Sequence, residues 1–140
     1  MLLLDTNVVS ELRKVKSGRA DAQFSHWASR QVSSQLYLSV ICIMELEQGI
    51  LLRERRDASQ GLILRTWLEQ QVLPAFEGRI LAIDHAVARS CARLHVPDPR
   101  AERDALIAAT ALVHGMTVVT RNVADFELTG VPLFNPWQAV

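Results

Sequence analysis

Four acidic residues occupy positions where their side chains can do chemistry together. They are Asp5, Glu45, Asp104 and Asp125. Carboxylates about 4 Å apart repel by roughly 1 kcal/mol in water and about 4 kcal/mol at an effective dielectric near 20, so a cluster needs a cation or shared protons. Oxygen ligands are hard and favour Mg²⁺ or Mn²⁺ over zinc. Such a site supports metal-assisted attack of water on a phosphodiester.

The stretch around Asp5 predicts how this acid is held. Residues 1–4 are an unbroken apolar run, typical of a strand buried on both faces of a parallel sheet. Asp5, Thr6 and Asn7 then supply polar groups that begin a helix. Asp5 is therefore expected at the carboxyl end of a central strand, where open α/β sheets bind ligands.

Strands and helices alternate along the rest of the chain, which predicts an α/β fold with a short, mainly parallel sheet of four to five strands. The predicted strands after the first are 36–40, 79–83, 116–120 and an edge strand at 133–134. The predicted helices are 8–14, 20–32, 41–52, 62–72, 86–94 and 102–114.

Three features of the middle of the chain carry further expectations. A polar, arginine-rich segment at 53–60 follows the third helix, and Pro74 is expected to end the fourth. Gly49 lies inside the third helix, where glycine is about 1 kcal/mol less favourable than alanine. A neighbouring backbone packed closely against Gly49 would explain it.

The predicted sheet brings the four acids to one edge. Glu45 lies on the helix after the second strand, Asp104 in the first turn of the alanine-rich helix, and Asp125 after the fourth strand. Each acid alone also has an ordinary interpretation, as a helix-dipole partner worth roughly 0.3–1 kcal/mol, a turn former or an exposed glutamate. Strand ends of a doubly wound sheet open on the same side, and the joint placement favours a functional cluster.

Composition limits the class of protein. The 140 residues are 49% hydrophobic, which suits one domain with a substantial core. Lys+Arg and Asp+Glu are equal at 15 each, which argues against a strongly basic nucleic-acid-binding surface. No apolar stretch has membrane-spanning length and no secretory signal is present, so the predicted location is the cytoplasm, without a membrane partner.

Cysteine and histidine do not indicate another chemistry. Cys42 and Cys91 lie in apolar surroundings and are predicted to be buried thiols. No Cys/His spacing resembles a zinc site, and no Ser/His/Asp or Cys/His nucleophile arrangement is evident. The histidines are interpreted as structural or surface residues; they are His26, His85, His95 and His114.

Four sequence blocks resemble the signatures of the PIN-domain family and occur in the family's order. They are LLLDTNVVSEL, SVICIMELEQG, RDALIAATA and VVTRNVADF. The resemblance is strongest to VapC/FitB-type toxins of type II toxin–antitoxin modules. It implies a single PIN domain over residues 1–140 with a three-layer α/β/α fold. It also implies a Mg²⁺- or Mn²⁺-dependent ribonuclease that is inhibited by a cognate antitoxin and forms homodimers and toxin–antitoxin hetero-oligomers.

The resemblance also assigns roles to residues. It places the catalytic and metal-binding acids at Asp5, Glu45, Asp104 and Asp125. Thr6 and Thr120 match polar positions beside the acids, and Asn122 could share the role of Asp125. Cys42 is a departure, because relatives often carry a hydroxyl residue there.

Contacts with RNA and antitoxin are less specified. Arg121 is predicted either to contact a phosphate or to pair with one of the acids. The basic clusters at 13–19 and 53–56 are interpreted as solvated helix ends that could also steer RNA. The apolar helices of residues 20–72 are a plausible groove for an amphipathic antitoxin segment. The three tryptophans are expected in the core or an interface.

Three rival functions remain open. A metal-dependent phosphatase on a similar sheet would need a second acid two residues after Asp5, where Asn7 stands. A catalytically inactive PIN-like binding module would be expected to lack one of the four acids. A metal-dependent DNA nuclease is compatible with the same sheet, although the chain has no added DNA-gripping segments.

Overall fold

The structure is a computed structural model that describes residues 1–138. Its five strands are all parallel, in the order β3-β2-β1-β4-β5. They are β1 (Leu2–Leu4), β2 (Leu36–Ser39), β3 (Ile80–Leu81), β4 (Thr117–Val119) and β5 (Leu133–Phe134). The predicted parallel sheet of four to five strands is confirmed, with the last strand at an edge.

β1 is the centre of the sheet and is buried on both faces, as its apolar run predicts. It pairs with β2 on one side and with β4 on the other. Leu3 is 0% exposed and packs with Ile107 and Phe126. Leu4 is 1% exposed and packs with Val8 and Phe24 on the opposite face. Successive strand residues thus face two separate cores.

Helices cover both faces and form the outer layers of an α/β/α arrangement. They are α1 (Thr6–Val15), α2 (Ala22–Ser29), α3 (Val40–Arg56), α4 (Ala58–Trp67), α5 (Leu73–Ala75), α6 (His85–Leu94) and α7 (Glu102–His114). α1, α2 and α3 pack on the face of Leu4, and α7 packs on the face of Leu3. Within residues 1–138, no helix is long and apolar enough to cross a membrane.

The arginine-rich segment is helical, which extends the third predicted helix. α3 continues through Arg56, and α4 begins at Ala58 with only Asp57 between them. Arginine is a good helix former, and cations near a helix C-terminus interact favourably with its dipole. The Asp57 carboxylate accepts a hydrogen bond from the Gln60 N–H at 3.2 Å and begins α4.

Pro74 does not end the fourth helix. Residues 68–72 form a π-helical turn, and the chain continues into α5 with Pro74 in its first turn. The Leu73 N–H donates to the Leu68 carbonyl, one residue farther back than in an α-helix. A proline ring would clash with the carbonyl four residues earlier in a regular helix, and a wider turn relieves this.

Gly61, and not Gly49, is the glycine that permits close packing of two helices. A Cβ atom at Gly49 would have no neighbour within 4 Å, so the expectation of a closely packed backbone there is wrong. A Cβ atom at Gly61 would lie 2.7 Å from the Cα of Glu54. Hence Gly61 allows α4 to lie directly against α3.

Candidate active site

Asp5 is held rigidly where β1 ends and α1 begins. It is 6% exposed, and its Oδ1 accepts a hydrogen bond from the Thr6 N–H at 2.9 Å. Its Oδ2 accepts from the Thr120 hydroxyl at 2.8 Å and from the Asn7 side-chain amide at 3.3 Å. Both oxygens are therefore oriented by neighbours from α1 and from the end of β4.

Burial raises the pKa of Asp5 above its usual value. The hydrogen bonds from Thr120, Thr6 and Asn7 oppose this effect, while the nearby Glu45 carboxylate adds to it. The geometry thus places a desolvated carboxylate next to a second acid.

Glu45 reaches the same place from α3, which begins directly after β2. The Thr6 hydroxyl donates to Glu45 Oε1 at 2.6 Å. The Arg103 guanidinium lies 3.7 Å from the other carboxylate oxygen. Thr6 therefore links the two acids, binding Asp5 through its backbone N–H and Glu45 through its hydroxyl.

Asp104 lies in the first turn of α7 and is half-buried. Its pKa is raised from 3.8 to about 6, first by burial and then by the carboxylates of Asp5, Asp125 and Glu45. Asp125 closes a short 3₁₀ turn after β4 and is exposed. The charges of Asp5, Asp125 and Glu45 act on Asp104 because the four acids lie near one another, at the edge where β1 and β4 end. We call this group the acidic edge.

A polar network around Thr120 and Asn7 positions the acidic edge. The Asn122 N–H donates to the Thr120 hydroxyl oxygen at 3.0 Å, and the Asn7 amide lies 3.4 Å from the same oxygen. The Arg121 N–H donates to Asn7 Oδ1 at 3.2 Å. The sequence predicted the places of Thr120 and Asn122 but missed this role for Asn7. The available signal was an amide two residues after Asp5.

Arg121 projects from the loop after β4 and stacks on an aromatic ring. Its guanidinium carbon lies 5.3 Å from the centroid of the Trp137 ring. Within residues 1–138, Arg121 makes no ion pair with an acid, so the salt-bridge interpretation is wrong. Its contact with a phosphate remains a prediction. Trp27, Trp67 and Trp137 pack against the core on the face of Leu4, as expected.

The donor set of the acidic edge fits a hard divalent cation. All four side chains offer only carboxylate oxygens, which Mg²⁺ and Mn²⁺ prefer. Burial and then the neighbouring carboxylates raise the pKa of Asp104, and a bound cation would offset both effects. In the described part of the chain, no three of these acids bring their oxygens within 4.8 Å of one another, so joint binding would require a side chain to rotate.

Comparison with known proteins decides the family. A family model of the PIN domain matches residues 2–130. The chain belongs to the PIN-domain family. It is similar to the VapC ribonuclease Y4jK of Sinorhizobium fredii, with 38% identity over 143 residues and 99% of each chain covered. Toxin FitB of Neisseria gonorrhoeae is 40% identical over 144 residues, which cover 98% of this chain and 99% of FitB.

A solved structure of FitAcB from Neisseria gonorrhoeae has the same architecture. It matches with a TM-score of 0.89 and 35% sequence identity over 99% of this chain and 100% of the other. Four acids at the carboxyl edge of a five-stranded sheet are therefore embedded in a PIN domain similar to those of VapC and FitB toxins.

Proposed function

We propose that this PIN-domain protein is a divalent-metal-dependent endoribonuclease and the toxin of a type II toxin–antitoxin module. The observation that carries the proposal is the acidic edge, where burial and mutual repulsion raise the pKa of Asp104 to about 6. Two similar proteins support RNA as the substrate and a toxin as the biological role, because one is named a ribonuclease and the other a toxin.

The acids would hold Mg²⁺ or Mn²⁺ and orient RNA through the cation. The proposed ligands are Asp5, Glu45, Asp104 and Asp125. When bound, the metal activates water, neutralises phosphate charge and stabilises the leaving oxygen. Thr120 and Thr6 keep the carboxylates of Asp5 and Glu45 in place through short hydrogen bonds. Fixed ligands reduce the reorganisation needed when substrate arrives.

Arg121 would bind the RNA backbone. Its side chain is exposed, and its backbone is joined to Asn7 by the hydrogen bond from its N–H. Stacking on Trp137 limits the freedom of the guanidinium. A phosphate oxygen would receive charge-assisted hydrogen bonds from it. The chain has no net positive charge to attract RNA, so a direct contact of this kind would supply part of the affinity.

The antitoxin would bind the apolar surface of the helices that contain residues 20–72 and their neighbours. Large apolar side chains are exposed there: Met44, Leu51, Leu52, Leu62 and Ile63. A separate groove of about 180 Å³ lies between α1 and residues 67–76, and Arg13 and Lys16 contribute to its wall. An amphipathic segment with acidic residues has the matching chemistry. We also propose a homodimer, and a single domain spanning residues 1–140.

The test is cleavage of RNA by antitoxin-free protein in Mg²⁺ and in Mn²⁺. Cleavage should disappear with EDTA and with Asp5→Asn. Asp84→Asn is the matched control, because Asp84 begins α6 outside the acidic edge and asparagine is an equally good N-cap. Cleavage that survives Asp5→Asn, with circular dichroism unchanged between variants, would contradict the proposal.

The rival functions have distinct outcomes in the same experiment. Cleavage of single-stranded or duplex DNA in place of RNA would favour a DNA nuclease. Mn²⁺ binding that depends on Asp5 and Asp104, together with no cleavage of any nucleic acid, would favour an inactive binding module. The phosphatase alternative is disfavoured because the residue at the required second position, Asn7, donates its amide to Asp5.

A further inference from the structure

Three side chains of types that can bind metal lie close together where α6 ends and α7 begins. The Cys91 sulfur, a ring nitrogen of His95 and a carboxylate oxygen of Glu102 lie within 4.8 Å of one another. None of the three belongs to the acidic edge. We propose that Cys91, His95 and Glu102 form a second metal site, which binds a zinc-like transition-metal ion.

The spacing of two donors already matches such an ion. The Cys91 Sγ and the His95 Nε2 are 3.7 Å apart. Tetrahedral zinc, with bonds of about 2.3 Å to sulfur and about 2.0 Å to nitrogen, places these atoms roughly 3.6 Å apart. The two residues are four positions apart at the end of α6, so their side chains share one face. Glu102 is exposed and needs only a small side-chain movement to join them.

The donor types distinguish this site from the acidic edge. A thiolate, an imidazole and a carboxylate suit Zn²⁺, and Mg²⁺ avoids sulfur. Three protein ligands leave the fourth tetrahedral position to water. Cys91 is 4% exposed, and burial followed by the charge of Glu102 raises the pKa of its thiol. A bound cation would offset both effects and stabilise the thiolate.

Metal binding at this site would change the tautomer of His95. The Arg100 N–H donates to His95 Nδ1 at 3.1 Å, which leaves the proton of the neutral ring on Nε2, facing the sulfur. An ion bound at Nε2 would require the ring proton on Nδ1, where it would face the Arg100 N–H donor. The Arg100 N–H would then have to turn away from the ring and donate to water. The thiol proton passes to solvent, so binding releases one proton from the site.

The second metal site would connect the end of α6 with the beginning of α7, the helix that contains Asp104. Glu102 precedes Asp104 by two residues in the first turn of α7. An ion shared by Glu102 and the end of α6 would fix the beginning of this helix. We therefore expect Zn²⁺ to raise the melting temperature of the wild-type protein more than that of Cys91→Ala.

The first experiment titrates Co²⁺ into the reduced full-length protein and measures the thiolate-to-cobalt charge-transfer absorption. With excess Mg²⁺ present to occupy the acidic edge, about one equivalent of Co²⁺ should produce the band, and Zn²⁺ should remove it. Cys91→Ala and His95→Ala should abolish the band. Glu102→Ala, at an exposed position, should weaken binding by about tenfold or more. Cys42→Ala is the matched control, since its buried thiol lies outside the cluster, and it should keep the band.

Two outcomes would overturn the proposal. One is wild-type protein without a thiolate band, which would mean that the pair forms only an N–H···S hydrogen bond. The other is Co²⁺ affinity unchanged in Glu102→Ala. Nitrogen NMR of His95 gives an independent readout, because Zn²⁺ should move the ring proton from Nε2 to Nδ1. No measurement here uses RNA cleavage, so a failure would leave the proposed ribonuclease untouched.

Discussion

Charged side chains are arranged in opposite ways at the acidic edge and in the α3–α4 pair. At the acidic edge, four carboxylates converge, and the ion pair found there in residues 1–138 joins Glu45 and Arg103 at 3.7 Å. Between α3 and α4, Arg65 lies 2.5 Å from Glu47 and 3.3 Å from Glu54. Like charges are collected in one region and opposite charges are paired in the other. The first arrangement is repulsive unless a cation or a proton offsets it, and the second joins two helices.

The two regions also differ in how they affect stability. A shift of the Asp104 pKa from 3.8 to about 6 corresponds to roughly 3 kcal/mol before solvent screening, and a half-buried group retains only part of it. The acidic edge therefore destabilises the metal-free fold at neutral pH. Such a cluster is typical of a functional site, where residues needed for activity lower the free energy of unfolding.

The largest expected effect is on activity at the acidic edge. Asp104→Asn should reduce RNA cleavage in Mg²⁺ by about 100-fold or more, because it removes one charged ligand while keeping the side-chain shape. Single-turnover rates measure the effect, with Asp84→Asn as the control. A variant that retains cleavage within tenfold of wild type would show that the acids do not act as a unit.

The next effect concerns packing in the α3–α4 pair. Gly61→Ala should lower the free energy of unfolding by about 1–3 kcal/mol, because the new Cβ would lie 2.7 Å from the Glu54 Cα. Gly49→Ala is the matched control, since its Cβ meets nothing within 4 Å. It should be stabilising by up to about 1 kcal/mol. Urea unfolding separates them, and equal effects of the two variants would contradict the close packing at Gly61.

These glycines show why sequence alone predicts some features and misses others. Both lie in amphipathic helical stretches, and only the pairing of α3 with α4 distinguishes them. Pro74 is similar, because a local rule ends the helix there and a π turn allows it to continue. β1 was predictable because burial on both faces leaves a direct signature in its composition.

The parts of the acidic edge that were predictable from the sequence are those whose positions follow from the order of strands and helices. Strand ends place Asp5 at the edge, and helix beginnings place Asp104 there, so both positions follow from the order of elements. The hydrogen bonds of Asn7 and the stacking of Arg121 on Trp137 depend on rotamers and on long-range contacts. The cluster of Cys91, His95 and Glu102 was missed because its third member lies across a loop.

A smaller effect is the pH dependence of stability in metal-free protein. The pKa of Asp104 is raised in the folded state, so the carboxyl binds its proton more tightly there than in the unfolded chain. Its favourable contribution is present below pH 4 and is lost as the pH rises through about 6. Asp104→Asn should therefore be more stable than wild type by about 1–2 kcal/mol at pH 7.5, and the difference should shrink at pH 4.5.

Urea unfolding in EDTA at the two pH values measures this difference. A stability gap between Asp104→Asn and wild type that is independent of pH would mean that neither burial nor the neighbouring acids raise the pKa of Asp104. Asp84→Asn should show no comparable trend, since Asp84 is exposed and lies outside the acidic edge.

The smallest expected effect is at the paired charges of α3 and α4. Arg65→Gln should lower the melting temperature by about 2 °C, because ion pairs that stay partly open to solvent contribute little. Lys14→Gln is the control: Lys14 pairs with Glu11 at 3.5 Å within one helix, and its loss should be close to neutral. High salt should reduce the effect of Arg65→Gln by screening. A larger loss than in Gly61→Ala would mean that charge pairing, more than close backbone packing, holds α4 against α3.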